Sequence, residues 1–570
     1  MYNAKMEISK ILAPLIPGLE PNQIYDMLEV PPNPEMGDLA LPCFKLSRIL
    51  RKSPVQIAEE LAAGIPADEN IDRIESVSGY LNFFLNQNHY IRQVLCHIME
   101  SGQAYGSSDI GKGKTIVIDY SSPNIAKPFH VGHLRSTSIG NSLYRLYKFS
   151  GYNCVGINHL GDWGTQFGKL ITAYKHWGSK EAVQKNLIKE LVSLYVKFHK
   201  EAEKDDSLND EAREWFLRLE QGDEEALELW QWFKDISLEE YQQVYDLLDV
   251  SFDSYHGEAF YNDKMEPVIQ KLKDKNLLKE SEGAMIVDLS DEDMPPCLIL
   301  KADGSTLYAT RDIAAAIYRK KTYDFDKCIY VTGVSQNLHF KQWFKVIEKM
   351  GYEWHKDLYH VPFGTVSIGG ERLATRTGNV VLLEDLLNKA IEKTLEIIDA
   401  KNPHLENKHE IAKQMGVGAV IFSDLFSNRI KDVSFSWDEI LNFDGETGPY
   451  VQYTHARTCS LLKKAEESGV NAEELEFDSS LLNSKEEYQL VKSLAEFPEK
   501  VSQAVEELEP SIITRYLVNL AQAFNRFYHN HSILLEDKEL KHARLTLVKA
   551  AKVTLYNGLR LIGLHAPERV

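Results

Sequence analysis

Apolar positions in the first hundred residues follow two different periods. In SPVQIAEELAAGI (53–65) they recur every three to four residues and predict a helix, whereas GYLNFFLN (79–86) is short, aromatic-rich and strand-like. KTIVIDY (114–120) alternates β-branched residues over a strand's length, the turn-rich SSPNIAKP follows, and a helix is predicted from about Gly132 to Tyr147. NCVGINHLGDWG (153–164) then supplies a second strand and a glycine-punctuated loop. Strand, turn, helix and strand in that order predict a parallel α/β unit with crossover connections.

Further along, residues 180–250 are helical and charged, as an insertion on that unit would be, and LILKADG, TRDIAAAIYRKK and KCIYVTGV (298–334) return to α/β alternation. Beyond about 446 strand patterns vanish. In YLVNLAQAFNRFY, Leu517, Leu520, Ala521, Phe524 and Phe527 recur at helical spacing and predict a terminal helical bundle.

Composition narrows the class. With 570 residues, 44% apolar and 26% charged, the chain is globular and long enough for three or four domains at roughly 150 residues each. Six scattered cysteines with no CxxC pair argue against a zinc ribbon or a secreted disulfide framework and fit a reducing cytosol. The N-terminal sequence has no signal-peptide pattern, and no apolar run nears the roughly 20 residues of a membrane span, so a cytoplasmic location is expected. A net charge of −20 opposes non-specific binding to nucleic acid. The charge is uneven, however: residues 120–150 contain Lys127, Arg135, Arg145 and Lys148 and no acid, which leaves room for a basic face, while the acidic 201–235 reads as a solvated helical face.

The richest chemistry lies in SSPNIAKPFHVGHLRST (121–137), where His130 and His133 flank Gly132 at a predicted helix start. Unpaired backbone N–H groups and the helix dipole there attract an anion. Two imidazoles beside them can donate to phosphate oxygens, and the glycine lets a flat base lie against the backbone. This is a layout for a nucleoside triphosphate. A zinc pair has no HExxH partner or nearby cysteine. GKGKT (111–115) is no phosphate loop: Ser108 stands where a glycine is required, and the segment runs into a strand. No GxGxxG follows a strand, so a nicotinamide enzyme has no support.

DYSSPNIAKPFHVGHLRST followed by NHLGDWGTQFGKL resembles a class I aminoacyl-tRNA synthetase, and in detail the arginyl-tRNA synthetase family. YHGE (255–258), DGSTLYATRDIAAA (303–316) and YVTGVSQNLH (330–339) resemble that family's amino-acid pocket. GETGPYVQYTHART (445–458) and the final LRLIGLHAPERV resemble its anticodon-binding domain, and EMGDLALPCFKLSR with GYLNFFLN its extra domain for the tRNA elbow. The resemblance implies a Rossmann-like parallel-sheet catalytic domain over 111–385 with an insertion at about 180–250. It also implies an α+β domain over 1–110, a connecting helical segment over 386–445 and a helical anticodon-binding bundle over 446–570.

An arginine side chain is a planar cation best matched by carboxylates and a hydroxyl in a fixed fork. The resemblance assigns Glu258, Tyr308 and Asp312 to the guanidinium, and Asp119, Ser122, Asn124 and Gln336 to the α-amino and α-carboxyl end. It implies that His130, His133 and Lys127 act in catalysis, with Gly132 beside them at ATP. The family's second signature, Lys-Met-Ser-Lys, is eroded here to GERLATRTGNVV (370–381), with Arg372 at the first lysine and Thr375 at the last. Lys127 is the expected substitute cation, and Arg372 and Arg376 the candidates for residual phosphate contact. For RNA, Tyr450, Tyr453, Phe527 and Tyr528 are aromatics able to stack on unpaired bases; Tyr453 and Arg457 are preferred, with Asn82 and Phe84 in the N-terminal domain.

The activity implied is ATP-dependent formation of arginyl-adenylate and transfer of the arginyl group to tRNA(Arg). Expected partners are L-arginine, tRNA(Arg) and ATP with Mg²⁺, acted on by a cytoplasmic monomer without zinc, a tightly bound cofactor or a membrane. In the family, arginine activation waits for bound tRNA. Two alternatives stay open on sequence: a non-catalytic tRNA-binding regulator derived from a synthetase, and another HxGH-type nucleotidyltransferase.

Overall fold

The computed structural model describes residues 3–301, 308–368, 371–372, 381–470 and 477–570. In the N-terminal part, Leu39–Pro42, Tyr80–Leu85 and Ile71–Val77 form an antiparallel sheet with Tyr80–Leu85 in the centre. Ser53 and Gln56 close a capping box at the start of the helix Pro54–Gly64, as the period-3.6 pattern requires.

The catalytic part is built on a parallel sheet whose strands lie in the order Leu358–Phe363, Lys327–Gly333, Thr115–Asp119, Asn153–Ile157. Ile116, Val117 and Ile118 are fully buried, so both faces of this strand are covered and the alternation expected from the sequence gives way to a continuous buried β-branched run. The chain leaves Thr115–Asp119 to one side and later returns on the other. That reversal opens a crevice beyond the carboxyl ends of Thr115–Asp119 and Lys327–Gly333, the place where ligands bind in such sheets. The helix Gly132–Phe149 packs tightly beneath it; at Gly140 a Cβ would lie 2.2 Å from Tyr120 Cβ, so no larger residue fits.

The insertion consists of helices Lys180–Asn186, Ile188–Ala202, Ser207–Glu220 and Glu224–Leu248. One expectation needs correction. The LILKADG strand, Cys297–Leu300, does not join the parallel sheet; it pairs with Ala284–Val287 in a separate antiparallel sheet. Two long helices, Leu383–Lys401 and Lys408–Phe426, follow, and the short strand Val433–Phe435 pairs in parallel with Val366–Ile368. Beyond residue 446 the described residues hold no strand, and Phe524 and Phe527 are fully buried in the bundle.

Of the basic residues in 120–150, Lys127 and Lys148 are exposed, while the two arginines are held in ion pairs. Arg135 is fully buried, with Nε 3.1 Å from Asp424 and an N–H donating to the Lys431 carbonyl at 2.6 Å. Arg145 pairs with Asp249 at 3.0 Å. Both cations tie the central helix to other elements, so their charge is spent inside the molecule. No helix among the described residues is long and apolar enough to cross a membrane.

Candidate active site

The helix Gly132–Phe149 begins directly under the crevice, and its first turn locks both histidines. The backbone N–H of His130 donates to His133 Nδ1 at 3.2 Å, and that of Gly132 to His130 Nδ1 at 3.0 Å. A nitrogen that accepts an N–H carries no proton, so each neutral ring must hold its proton on Nε2. Burial pushes His133 down to about 3, with His130 and Lys127 adding to it; burial and then Lys127 lower His130 as well. Both imidazoles are therefore neutral near pH 7 and present Nε2–H donors.

This revises the anion-site argument in two respects. The N–H groups of Gly132, His133 and Leu134 are satisfied within the chain, by His130 Nδ1 and the carbonyls of His130 and Val131, so the imidazoles rather than the backbone are the free donors. Glycine at 132 is needed for His130 itself: a Cβ there would lie 2.7 Å from that ring. The rings of His130 and His133 are 4.0 Å apart, and Phe129 stacks on His133 at 5.0 Å.

Asp119, Ser122, Asn124, Gly132, His133, Glu258, Tyr308, Asp312 and Gln336 all line one open cleft of about 540 Å³. His130 and Lys127 are outside its lining, and Lys127 is exposed on the adjoining loop. Arg372 lies in the two-residue strand Glu371–Arg372, which pairs with Ser367–Ile368; Thr375 and Arg376 fall outside the described residues. Directly after that gap the chain clamps onto the histidine segment, with Val131 N–H donating to the Val381 carbonyl at 3.1 Å and Leu383 N–H to that of Phe129 at 2.9 Å.

Each acid of the cleft already has a partner within the chain, a guanidinium for Asp119 and Glu258 and an imidazole for Asp312. Asp119 lies 2.8 Å from Arg319 and accepts from the Ser122 hydroxyl at 2.8 Å. Glu258 is 3.5 Å from Arg311, and Asp312 is 2.6 Å from His339 Nε2. Burial nevertheless pushes Glu258 up to about 7, against the pull of Arg311 and with help from Asp312 and Asp162. Such a carboxyl suits a cationic ligand that completes its compensation. Arg311, Arg319 and His339 were not singled out from the sequence. Arg319 follows Asp312 by seven residues on the helix Tyr308–Tyr323, two turns along the same face, which is the signal that could have found it.

Comparison with known proteins settles the family. The catalytic-domain model of class I tRNA synthetases of the arginine type matches residues 94–437. The DALR anticodon binding domain matches 451–570, and the arginyl tRNA synthetase N terminal domain matches 3–85. The arginine–tRNA ligase of Alkaliphilus metalliredigens is 57% identical over 573 residues, covering 100% of both chains. That of Clostridioides difficile is 55% identical, again over 100% of each. The chain belongs to the arginyl-tRNA synthetase family. The solved Thermus thermophilus arginyl-tRNA synthetase shares the fold of this synthetase, with a TM-score of 0.81 over 99% of each chain at 24% identity.

The synthetase's candidate RNA residues fare differently. Tyr453 is 38% exposed, and the Arg457 guanidinium sits 5.0 Å from its ring and 4.8 Å from that of Tyr528. Both line an open pocket with Tyr450 and Asn525. Phe527, in contrast, is fully buried and has no surface on which a base could stack. In the N-terminal sheet, Asn82 and Phe84 are only 3% and 9% exposed, and Arg73 covers the Phe84 ring at 3.6 Å.

Proposed function

We propose that this cleft carries both steps of an arginine–tRNA ligase on the residues named above. The α-carboxylate of arginine attacks the α-phosphorus of ATP in line, forming arginyl-adenylate and releasing pyrophosphate. A hydroxyl of the 3′-terminal ribose of tRNA(Arg) then attacks the arginyl carbonyl carbon and releases AMP. No protein nucleophile is needed; catalysis rests on alignment and on stabilising the charge that develops on the phosphates. His130 and His133 donate from Nε2, Lys127 adds a mobile point charge, and Arg372 and Arg376 assist, with Mg²⁺ travelling with ATP as part of the substrate. Glu258, Tyr308 and Asp312 take the guanidinium; Asp119, Ser122, Asn124 and Gln336 take the amino-acid backbone end.

The observation that carries this reading is the juxtaposition in one cleft of a donor-fixed imidazole, His133, with Glu258 and Asp312. Tyr453 and Arg457 are proposed for the anticodon. The division at about 110, 385 and 445, the cytoplasmic location and the monomeric state belong to the same proposal. Aminoacylation of arginine tRNA with each of the twenty amino acids, beside arginine-dependent pyrophosphate exchange, tests it. Charging confined to arginine and lost in His133→Ala supports the assignment; unchanged charging in that variant refutes it.

A further inference from the structure

The inserted helix Glu224–Leu248 packs, along a single face, against elements that carry both halves of the cleft. Trp230, Lys234, Ser237, Tyr241 and Tyr245 follow each other at intervals of three or four residues and so line up along it.

At the ATP half, the loop leading to His130 is held in an unfavourable backbone conformation. Ser121, Ser122 and Ala126 have φ of 67°, 49° and 56°, in the left-handed region that non-glycine residues rarely enter. Such strain persists only where the surroundings over-determine it. The surroundings here are the insertion. The Tyr241 hydroxyl lies 2.7 Å from the Asn124 carbonyl and 2.8 Å from that of Lys127. Ser237 Oγ accepts the Ala126 N–H at 3.2 Å, and the Tyr245 hydroxyl meets Ser121 Oγ at 2.8 Å. Phe129, which stacks on His133, packs against Tyr241 at 5.1 Å.

At the arginine half the link runs through Asp162, which is fully buried. Its Oδ2 takes an ion pair from Lys234 at 2.6 Å, its Oδ1 accepts the Ala259 N–H at 2.8 Å, and its carbonyl accepts the Trp230 indole N–H at 2.7 Å. Ala259 adjoins Glu258, so Asp162 fixes the backbone that aims this carboxyl into the cleft.

We propose that the helix Glu224–Leu248 is the positioning element of both substrate half-sites: Tyr241 sets the loop carrying Lys127 and His130, and Lys234, through Asp162, sets Glu258. Neither residue lines the cleft, so both are positioning residues. The inference rests on the proposed assignment of the histidines to ATP and of Glu258 to arginine.

Pyrophosphate exchange on the full chain with tRNA present separates the two arms. Tyr241→Phe keeps the ring packing and removes only the hydroxyl. It is expected to lower kcat by about 10–100-fold, with a rise in arginine KM, through Ser122 and Asn124 on the same loop, that stays below the one expected for Lys234→Met. Lys234→Met is expected to raise arginine KM by about tenfold or more with kcat nearly unchanged, and Lys234→Arg to restore it. Should Lys234→Met not fold, Trp230→Phe removes the indole hydrogen bond to the Asp162 carbonyl together with part of the ring packing against Trp163, and a rise in arginine KM without a fall in kcat is again the expected result. The proposal is overturned if Tyr241→Phe and these variants keep the parent constants, or if Lys234→Met lowers kcat as much as Tyr241→Phe does. His133→Ala and Glu258→Gln run alongside. If those two exchange at the parent rate, the assignment of the cleft has failed; if they are impaired while Tyr241→Phe and Lys234→Met are not, only the positioning role has.

Discussion

Arginine binding should weaken as the pH falls from 8 to 6, because Glu258 must give up a proton to receive the guanidinium. In the free protein, burial pushes this carboxyl up to about 7, even with Arg311 at 3.5 Å. A bound cation favours the charged form and pulls the value down again, so binding expels a proton wherever the free carboxyl still holds one. Below pH 7 each unit of acidity then costs about tenfold in affinity, or about 1.4 kcal/mol, and above it the dependence levels off. Between pH 8 and 6 the expected rise in arginine KM is about tenfold. The assay is pyrophosphate exchange at saturating ATP with tRNA present, repeated in Glu258→Gln. That variant should bind arginine poorly and without the slope, which separates Glu258 from the Asp312–His339 pair nearby.

The same shift has an opposite effect on the empty protein. A folded pKa raised above the unfolded value gives stability that is fully present below the unfolded value and lost as pH rises through the folded one. From about 4.5 to about 7 Glu258 should therefore progressively destabilise the unliganded fold, by up to about 3 kcal/mol, and arginine should offset the loss at pH 8. An arginine KM that is flat from pH 6 to 8 in the parent, or an unaltered slope in Glu258→Gln, would refute the reasoning.

Other outcomes follow from the same geometry. His133→Ala should lower kcat by about 10²–10³ with little change in arginine KM, as loss of one preorganised donor does; parent turnover would exclude His133 from the phosphates. With His133 pushed down to about 3 by burial, that ring should not titrate between pH 6 and 8, and a fall in kcat with an apparent pKa near 6.5 that disappears in His133→Ala would contradict its locked Nε2–H donor. Asp312→Asn keeps the shape but removes a charge facing the ligand, and a charge-assisted hydrogen bond of about 1.5–3 kcal/mol predicts a rise in arginine KM of about 10–100-fold. Lys127→Met should depress exchange while leaving tRNA binding unchanged, whereas an unaffected Lys127→Met with a dead Arg372→Ala would make the loop arginine the effective cation.

Local pattern made the elements legible, and pairing across the chain was what it lacked. The β-branched run of Thr115–Asp119 and the helix starting at Gly132 announced themselves, because burial on both strand faces and a glycine at a helix start leave marks in a few residues. The motifs likewise brought Asp119, Glu258 and Asp312 to attention. Strand Cys297–Leu300 looked the same as its parallel counterparts, since a short apolar run does not say which sheet will accept it. Arg135 and Arg145 looked like surface charge because their partners, Asp424 and Asp249, lie about 290 and 100 residues away. The role of the helix Glu224–Leu248 was hidden for a similar reason. Its acidic outer face dominates the composition, and nothing in the sequence ties Tyr241 and Tyr245 to the loop more than a hundred residues earlier that they hold.

The paired acids of the cleft explain how a site built to bind a cation is kept folded without one. An isolated carboxylate of this burial would neutralise itself or open its pocket to water, since removing an ion from water costs several kcal/mol. Arg319 takes up Asp119 and His339 takes up Asp312, so these two are held in place before any substrate arrives. Glu258 is treated differently: Arg311 stands at 3.5 Å rather than in full contact, and the carboxyl remains half protonated near neutrality. One acid of the three is thus left under-compensated, and it is the one whose charge a ligand can complete. A neutral analogue of arginine such as citrulline gives no such compensation and would leave Glu258 protonated. Discrimination against it should therefore narrow in Asp312→Asn by about the 10–100-fold that arginine binding loses there, and further in Glu258→Gln, where the under-compensated acid no longer asks its ligand for a charge. Comparing arginine and citrulline as exchange substrates in the two variants decides this; equal discrimination in both would show that the charge is read by the set as a whole.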